Sequence, residues 1–161
     1  MPGDERPTEH VVVWFEATRA GRDALARARE IAERDRAQLT VLAVATQEPV
    51  SGCPRCRQGA VIWNREIRAI GQEELVEAGQ ILGPSFDARY ELAVGRPLSA
   101  ISDAAHECGA DLIVLPSRRR SRLPRLRRRD LDERLRALGS WRVLSGPEPT
   151  HANEVSRLVV T

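Results

Sequence analysis

Residues Tyr90 to Ser117 read YELAVGRPLSAISDAAHECGADLIVLPS, and this stretch decides the fold. A strand pattern leads through Gly95-Arg96-Pro97 into an amphipathic helix, and Gly109 separates that helix from a short apolar strand. Two strands joined in this way by a helix form a β-α-β unit, whose strands run parallel. The stretch therefore predicts an α/β sheet, in which ligands bind at the carboxyl ends of the strands.

Strand and helix patterns alternate along the rest of the chain. Thr18 is placed to cap the first helix, a loop at 46–60 precedes a long second helix, and the last helix begins after Pro124. Short apolar, β-branched or aromatic runs predict strands at 10–15, 39–44, 89–94, 112–115 and 141–144. The apolar residues of the second helix are Val61, Ile62, Ile67, Ile70, Leu75, Ala78, Ile81 and Leu82.

The length of 161 residues suits one domain with its own core. We assign that domain to residues 1–145 and a tail to 146–161, in which 155–160 is a further candidate strand. All 25 basic residues are arginine, and the net charge of +2 is too small to predict a polyanionic partner for the whole molecule.

The sequence also favours a compartment. No run approaches the roughly 20 apolar residues that a membrane helix needs, and the first ten residues, MPGDERPTEH, lack the apolar core of a secretory signal. Three cysteines are an odd number, and a chain of this size does not need disulfides to fold. We therefore expect a cytoplasmic protein without a membrane partner.

Taken in order, these elements resemble the universal stress protein family over residues 10–145. The matching segments are Phe15-Glu16-Ala17-Thr18, where the family has Val-Asp-Gly-Ser, the second strand ending at Val44, Gly95-Arg96-Pro97, and the run from Gly109 to Val114. The resemblance implies an α/β, doubly wound five-stranded parallel sheet in the order 3-2-1-4-5. Helices would cover both faces, as in the adenine-nucleotide-hydrolase-like fold.

Nucleotide-binding members of that family carry Gly, two residues, Gly, nine residues, then Gly and Ser or Thr. At this spacing the chain has Pro116, Arg119, Arg129 and Asp130. Glycines let backbone N–H groups approach phosphate oxygens, whereas Pro116 has no N–H and Asp130 adds a carboxylate. We therefore predict that ATP binds weakly or not at all and that no cofactor is required, while ATP or AMP held in a different manner stays open.

Glu16 stands where the family's first-strand aspartate would contact the nucleotide. Two interpretations stay open: it pairs with an arginine of the loop after strand four, or it is an exposed carboxylate at a strand end. The resemblance thus implies a degenerate nucleotide cleft formed by Glu16, Val44, Pro116, Ser117, Arg119, Arg129 and Asp130.

Arginines concentrate in one segment, at positions 118, 119, 120, 122, 125, 127, 128 and 129. Guanidinium groups bind phosphates in a bidentate manner, which fits a phosphate-containing ligand or RNA. Only 4% of the residues are aromatic, which disfavours base stacking. The other interpretation is a solvated loop and helix start, balanced by Asp130, Asp132 and Glu133.

Cys53-Pro54-Arg55-Cys56 is a second chemical motif. Two thiolates at this spacing form half of a zinc site or a redox pair, and the third interpretation is a reduced pair in a surface loop. Zinc would need further ligands from a second subunit or from His151, because Cys108 and His106 are expected at the opposite edge of the sheet.

No catalytic constellation is evident, since no motif places a Ser or Cys beside His10, His106 or His151. We interpret Trp14, Trp63 and Trp141 as packing residues. The leading hypothesis is a non-enzymatic stress or regulatory protein that forms a homodimer through the edge at strand five. The alternatives are a phosphate- or RNA-binding module that uses the 118–129 arginines, and a metal- or redox-responsive protein that uses the cysteine pair.

Overall fold

The computed structural model describes residues 6–47, 49–117 and 126–145, with the backbone alone described for 126–130. Every predicted strand and helix of the domain is present, and the observed boundaries lie within a residue or so of the predicted ones except at the second helix. The elements are β1 (His10–Trp14), α1 (Arg19–Asp35), β2 (Gln38–Ala45), α2 (Pro54–Leu82), β3 (Ala88–Val94), α3 (Pro97–Cys108), β4 (Leu112–Leu115), α4 (Leu126–Leu138) and β5 (Arg142–Ser145). The tail at 146–161, with its candidate strand, lies outside the described residues.

The five strands form one parallel sheet in the order β3-β2-β1-β4-β5, which confirms the predicted topology. Strand β1 lies at the centre, between β2 and β4. The direction of winding reverses here, because the chain leaves β1 towards β2 and later returns from β3 to β4. That reversal makes the carboxyl ends of β1 and β4 the topological switch point, where sheets of this kind bind ligands.

The alternation of side chains along β1 builds two core layers. Val11, Val13 and Phe15 pack against α1 and α2 on one face, whereas Val12 and Trp14 pack against α3 and α4 on the other. Because each face of the central strand is covered, β1 is apolar at every position after His10, as the run HVVVWF predicts. The doubly wound arrangement therefore follows from a strand that is buried on both sides.

Helix α2 differs from its prediction in two ways. It begins at Pro54, so the loop predicted at 46–60 ends at Cys53, and Cys56 lies in the first helical turn. A proline at the first helical position is favourable, because the N–H it lacks would have no helical acceptor there. The loop prediction was therefore wrong for residues 54–60.

Only a narrow stripe of α2 is buried, and it consists of Asn64, Gly71, Ala78 and Leu82. Gly71, which has no side chain, lies so close to the sheet that a Cβ there would overlap the Leu92 side chain of β3. Large apolar side chains away from this stripe are exposed. Trp63 is 49% exposed, so its interpretation as a packing residue was wrong, whereas Trp14 and Trp141 are buried as predicted. The other large apolar side chains of α2 that are exposed are Val61, Ile62, Ile70, Val76 and Ile81.

The amino-terminal edge of the sheet is held by polar contacts. Asp111 Oδ2 accepts hydrogen bonds from the backbone N–H groups of Glu9 and His10, at 2.8 and 3.0 Å. The His10 ring lies 2.8 Å from the hydroxyl of buried Thr40, within hydrogen-bond distance. Burial lowers the pKa of His10 from its ordinary 6.5, and the nearby charge of Arg89 adds to that effect.

This lowered pKa makes stability depend on pH. His10 is protonated more readily in the unfolded chain than in the folded one. The neutral ring's contribution to the unfolding free energy is therefore complete above about pH 6.5 and is lost as the pH falls below that value. Between roughly pH 7.5 and 5.5 we expect the unfolding free energy of the wild type to fall by more than that of His10→Gln. One titrating proton can change the unfolding free energy by at most ~1.4 kcal/mol per pH unit. The difference should be a fraction of that limit, because solvent screens this half-buried ring. Urea denaturation at both pH values measures the difference, and parallel curves for the two proteins would contradict it.

Within the described residues, none of the helices combines the length and the apolar character that a bilayer crossing requires.

Candidate functional site

The switch point brings four of the predicted cleft residues to one edge of the sheet. Strands β1 and β4 pair with Val13 opposite Val114, so the chain that follows each strand leaves the sheet at neighbouring points. Glu16 and Ser117 are half-buried there, and Pro116 is buried. Val44, near the end of β2, is half-buried and packs against the core layer of α3 and α4.

The turn that presents Glu16 is built by the start of α1. Thr18 Oγ1 accepts a hydrogen bond from Gly21 N–H at 3.0 Å, which confirms Thr18 as the helix cap. The Thr18 N–H donates to the carbonyl of Glu16 at 2.7 Å. Gly21 packs so closely against Glu16 that a Cβ at position 21 would overlap the Glu16 carbonyl oxygen. The position of Glu16 therefore depends on a glycine in the first turn of the helix.

A second carboxylate, which the sequence did not reveal, lies beside this turn. Glu74 of α2 accepts a hydrogen bond from the Ala17 N–H at 3.1 Å. Burial raises the pKa of Glu74, and the neighbouring charges of Glu16 and Glu77 raise it further. Two carboxylates, Glu16 of the turn and Glu74 of α2, thus lie at the turn after β1, and the Ala17 N–H already has an anionic acceptor.

An ion pair also joins α1 to the helix that supplies Glu74. Arg22 of α1 contacts Glu77 of α2 at 2.7 Å. Glu74 and Glu77 are three residues apart and so share one face of α2, which faces α1 and the turn after β1. A sequence signal existed in this i, i+3 acidic pair, but its partners lie more than 50 residues away and become neighbours only through the fold.

The remaining predicted cleft residues lie outside what the structure describes in side-chain detail. Arg119 belongs to the segment 118–125, and Arg129 and Asp130 lie within α4 with the backbone alone described. The proposed pair between Glu16 and an arginine of this segment stays a prediction for the same reason.

The cysteine pair lies at the start of α2. Cys53 is the N-cap residue, and its Sγ accepts a hydrogen bond from the Cys56 N–H at 3.3 Å. The two sulfur atoms are 2.7 Å apart, and both residues are exposed. Cys108 is half-buried at the end of α3, towards the amino-terminal edge, with its thiol directed to the Ala105 carbonyl.

Metal chemistry finds little support in this arrangement. Across residues 6–47, 49–117 and the described part of 126–145, no three His, Cys, Asp or Glu side chains group closely enough to hold a metal ion. His151, the ligand that zinc would recruit within the chain, lies outside the described residues.

Comparisons with known proteins identify the family to which this fold and these motifs correspond. The universal stress protein family model matches residues 7–144. UspA from Lactobacillus plantarum superposes with a TM-score of 0.72 at 20% identity, over 86% of this chain and 97% of that one. No curated protein matches the chain in sequence.

Two other solved structures of similar fold contain a bound nucleotide. A universal stress protein in complex with cAMP has a TM-score of 0.55 and 20% identity, over 88% of this chain and 99% of that one. A family protein from Arabidopsis thaliana with AMP bound has a TM-score of 0.53 and 14% identity, over 89% and 94%. At these identities the likeness concerns the fold. Because the family model spans most of the sequence, the chain belongs to the universal stress protein family.

Proposed function

We propose that this universal stress protein is a non-enzymatic regulatory protein whose cleft does not hold ATP in the usual way of the family. The observation that carries the proposal is Pro116, which is buried at the end of β4 beside the exit of β1. Phosphates in such clefts are held by backbone N–H groups, and a proline supplies none. The first donor of a phosphate-binding loop is therefore missing at the point where the loop leaves the sheet.

The electrostatics of the turn after β1 support the same proposal. Glu16 and Glu74 place two carboxylates beside the switch point, and the Ala17 N–H already donates to Glu74. A triphosphate that entered here would meet like charge in a partly buried site, where repulsion is stronger than in water. Its binding would require displacement or protonation of Glu74.

A nucleotide that carries less negative charge than ATP is the alternative ligand for this cleft. Structural neighbours of this chain are described as complexes with cAMP and with AMP. A monophosphate brings less negative charge towards Glu16 and Glu74 than ATP does. If it binds, guanidinium groups of the 118–129 segment, including Arg119 and Arg129, would have to replace the missing N–H donors.

Equilibrium dialysis of the full chain against Mg-ATP, AMP and cAMP tests the proposal, together with an assay for phosphate release. We expect no saturable binding of Mg-ATP at micromolar concentration and no turnover. Glu74→Gln removes one carboxylate while keeping an oxygen acceptor for Ala17, so any residual Mg-ATP binding should increase in this variant. Micromolar Mg-ATP binding by the wild type, or turnover of ATP, would contradict the proposal.

The cytoplasmic location and the homodimer through β5 stay predictions. Strand β5 is an edge of the described sheet, and unpaired edges favour association, but the tail predicted to accompany it lies outside the described residues. The RNA-binding alternative rests on the arginines at 118–129, whose side chains the structure does not describe. The described part of the chain adds no support for it.

A further inference from the structure

The cysteine pair lies on an unusually accessible part of the molecule. In α2, residues 54–63 include no buried position, and the first buried residue of the helix is Asn64. The helix has 29 residues and is therefore about 44 Å long, whereas the eight residues of β2 span about 26 Å. The first turns of α2 thus contribute nothing to the core, and their cysteines are not explained by packing.

The geometry of the pair is that of a dithiol ready to close. Cys53 caps α2 and Cys56 lies in its first turn, so the two side chains start from the same turn of the chain. The Sγ atoms of Cys53 and Cys56 lie 2.7 Å apart, against about 2.05 Å in a disulfide. A small rotation of either side chain would bring the sulfur atoms to bonding distance, without movement of the sheet.

We propose that Cys53 and Cys56 form a reversible redox site, in which Cys53 is the attacking thiolate, Cys56 is the resolving thiol and the substrate is an external disulfide. The Cys53 thiolate attacks one sulfur of the substrate, forms a mixed disulfide and releases one thiolate, which takes up a proton. Cys56 then loses its proton, and its thiolate attacks the Cys53 sulfur and expels the second substrate sulfur as a thiolate, which takes up that proton. Two electrons pass to the substrate, and one dithiol and one disulfide yield one protein disulfide and two thiols.

The two cysteines differ in a way that assigns these steps. Cys53 is the N-cap, and its sulfur accepts the Cys56 N–H, an interaction that favours the thiolate. The hydrogen bond between the two side chains and the one from the Cys56 backbone lower the pKa of Cys53. Burial raises the pKa of Cys108, which leaves less of this thiol as the reactive thiolate. We therefore expect Cys108 to be the least reactive of the three cysteines.

The cysteine pair does not depend on the nucleotide cleft, and its oxidation would change only the first turn of α2. In the reduced form Cys53 caps α2 through a hydrogen bond, and in the oxidised form a covalent bond closes the same turn. Thiol pairs in reducing compartments are ordinarily transient or sensory rather than structural, which suits a reversible bond on a projecting helix end.

The test uses the full chain and glutathione redox buffers, with thiols counted by mass spectrometry after alkylation. The wild type should form an internal disulfide without an adduct. Cys56→Ser should accumulate one glutathione on Cys53, because no resolving thiol remains. Cys53→Ser keeps an oxygen cap for α2, so the helix start is preserved, and should react with glutathione disulfide at least about tenfold more slowly than Cys56→Ser. Cys108→Ser is the matched control and should behave like the wild type.

Other outcomes would overturn the proposal. Equal reactivity of all three thiols would remove the assignment of Cys53, and a stable glutathione adduct on the wild type would remove the resolving step. Zinc that purifies with the wild type in a fixed ratio and is lost from Cys53→Ser would assign the pair to metal binding instead.

Discussion

The Trp141→Ala variant is expected to lose about 3–5 kcal/mol of unfolding free energy, the range typical of a large buried aromatic side chain. Trp141 is 6% exposed and lies in the core layer formed by α3 and α4. Its Nε1 donates to the Leu135 carbonyl at 2.8 Å, and the His106 ring meets it edge to face with 4.6 Å between the centroids. Removal of the indole would leave a cavity and a buried carbonyl without its donor.

Trp63 is the matched control for that variant. It is the same residue type, but it is 49% exposed on α2. Trp63→Ala should change the free energy of unfolding by less than about 1 kcal/mol, as ordinary surface substitutions do. Urea denaturation followed by circular dichroism compares the two, and similar losses in both variants would contradict the described burial.

Gly21→Ala is expected to destabilise the protein by about 3 kcal/mol, because overpacking against atoms that cannot rotate away is a costly substitution. The new Cβ would overlap the backbone carbonyl of Glu16, which is held in the turn after β1. Helix propensity works in the opposite direction, since alanine is better than glycine in a helix by up to about 1 kcal/mol. The overlap should dominate and should also displace Glu16 at the switch point.

Gly59→Ala separates these two effects. Gly59 lies in α2, and apart from the neighbouring backbone of its own helix a Cβ there would meet nothing within 4 Å. This variant should gain about 0.5–1 kcal/mol from helix propensity alone. Thermal denaturation of both variants measures the contrast. A gain of stability in Gly21→Ala would mean that the close approach between α1 and the β1 turn is not present.

The sequence predicted the sheet well because the signals were local and repeated. The apolar run at 10–15 predicted a strand buried on both faces, and Pro97 and Gly109 bounded α3 to the residue. Strand order needed more than local pattern, and its prediction came from the family resemblance.

The errors at α2 have a different origin. Proline and glycine near the cysteines indicated a loop, but Pro54 occupies the first helical position and Cys53 takes the cap position that Ser, Thr, Asp or Asn usually fills. Trp63 was interpreted as a packing residue because large apolar side chains are usually buried. The sequence does not indicate that only a narrow stripe of α2 is buried. The contact of Glu74 with Ala17 spans 57 residues and could not be predicted before the fold was known.

The candidate cleft was predicted only in part. The loss of the glycine motif was evident from Pro116, Arg119, Arg129 and Asp130, because the spacing of the motif is fixed along the chain. The carboxylate that accepts the Ala17 N–H was not evident, although it adds a physical reason for the weak ATP binding that we propose. Electrostatics at such sites depends on which elements meet, so it follows from the fold rather than from the motif.

The most direct test of the central claim is a calorimetric titration with Mg-ATP of the wild type and of a variant that restores the motif by Pro116→Gly, Arg119→Gly, Arg129→Gly and Asp130→Ser. If the missing glycines and the missing Pro116 N–H prevent binding, the wild type gives no saturable heat at micromolar ATP, and the restored variant binds at least about tenfold more tightly, a gain of about 1.4 kcal/mol. Saturable micromolar binding by the wild type would contradict the account.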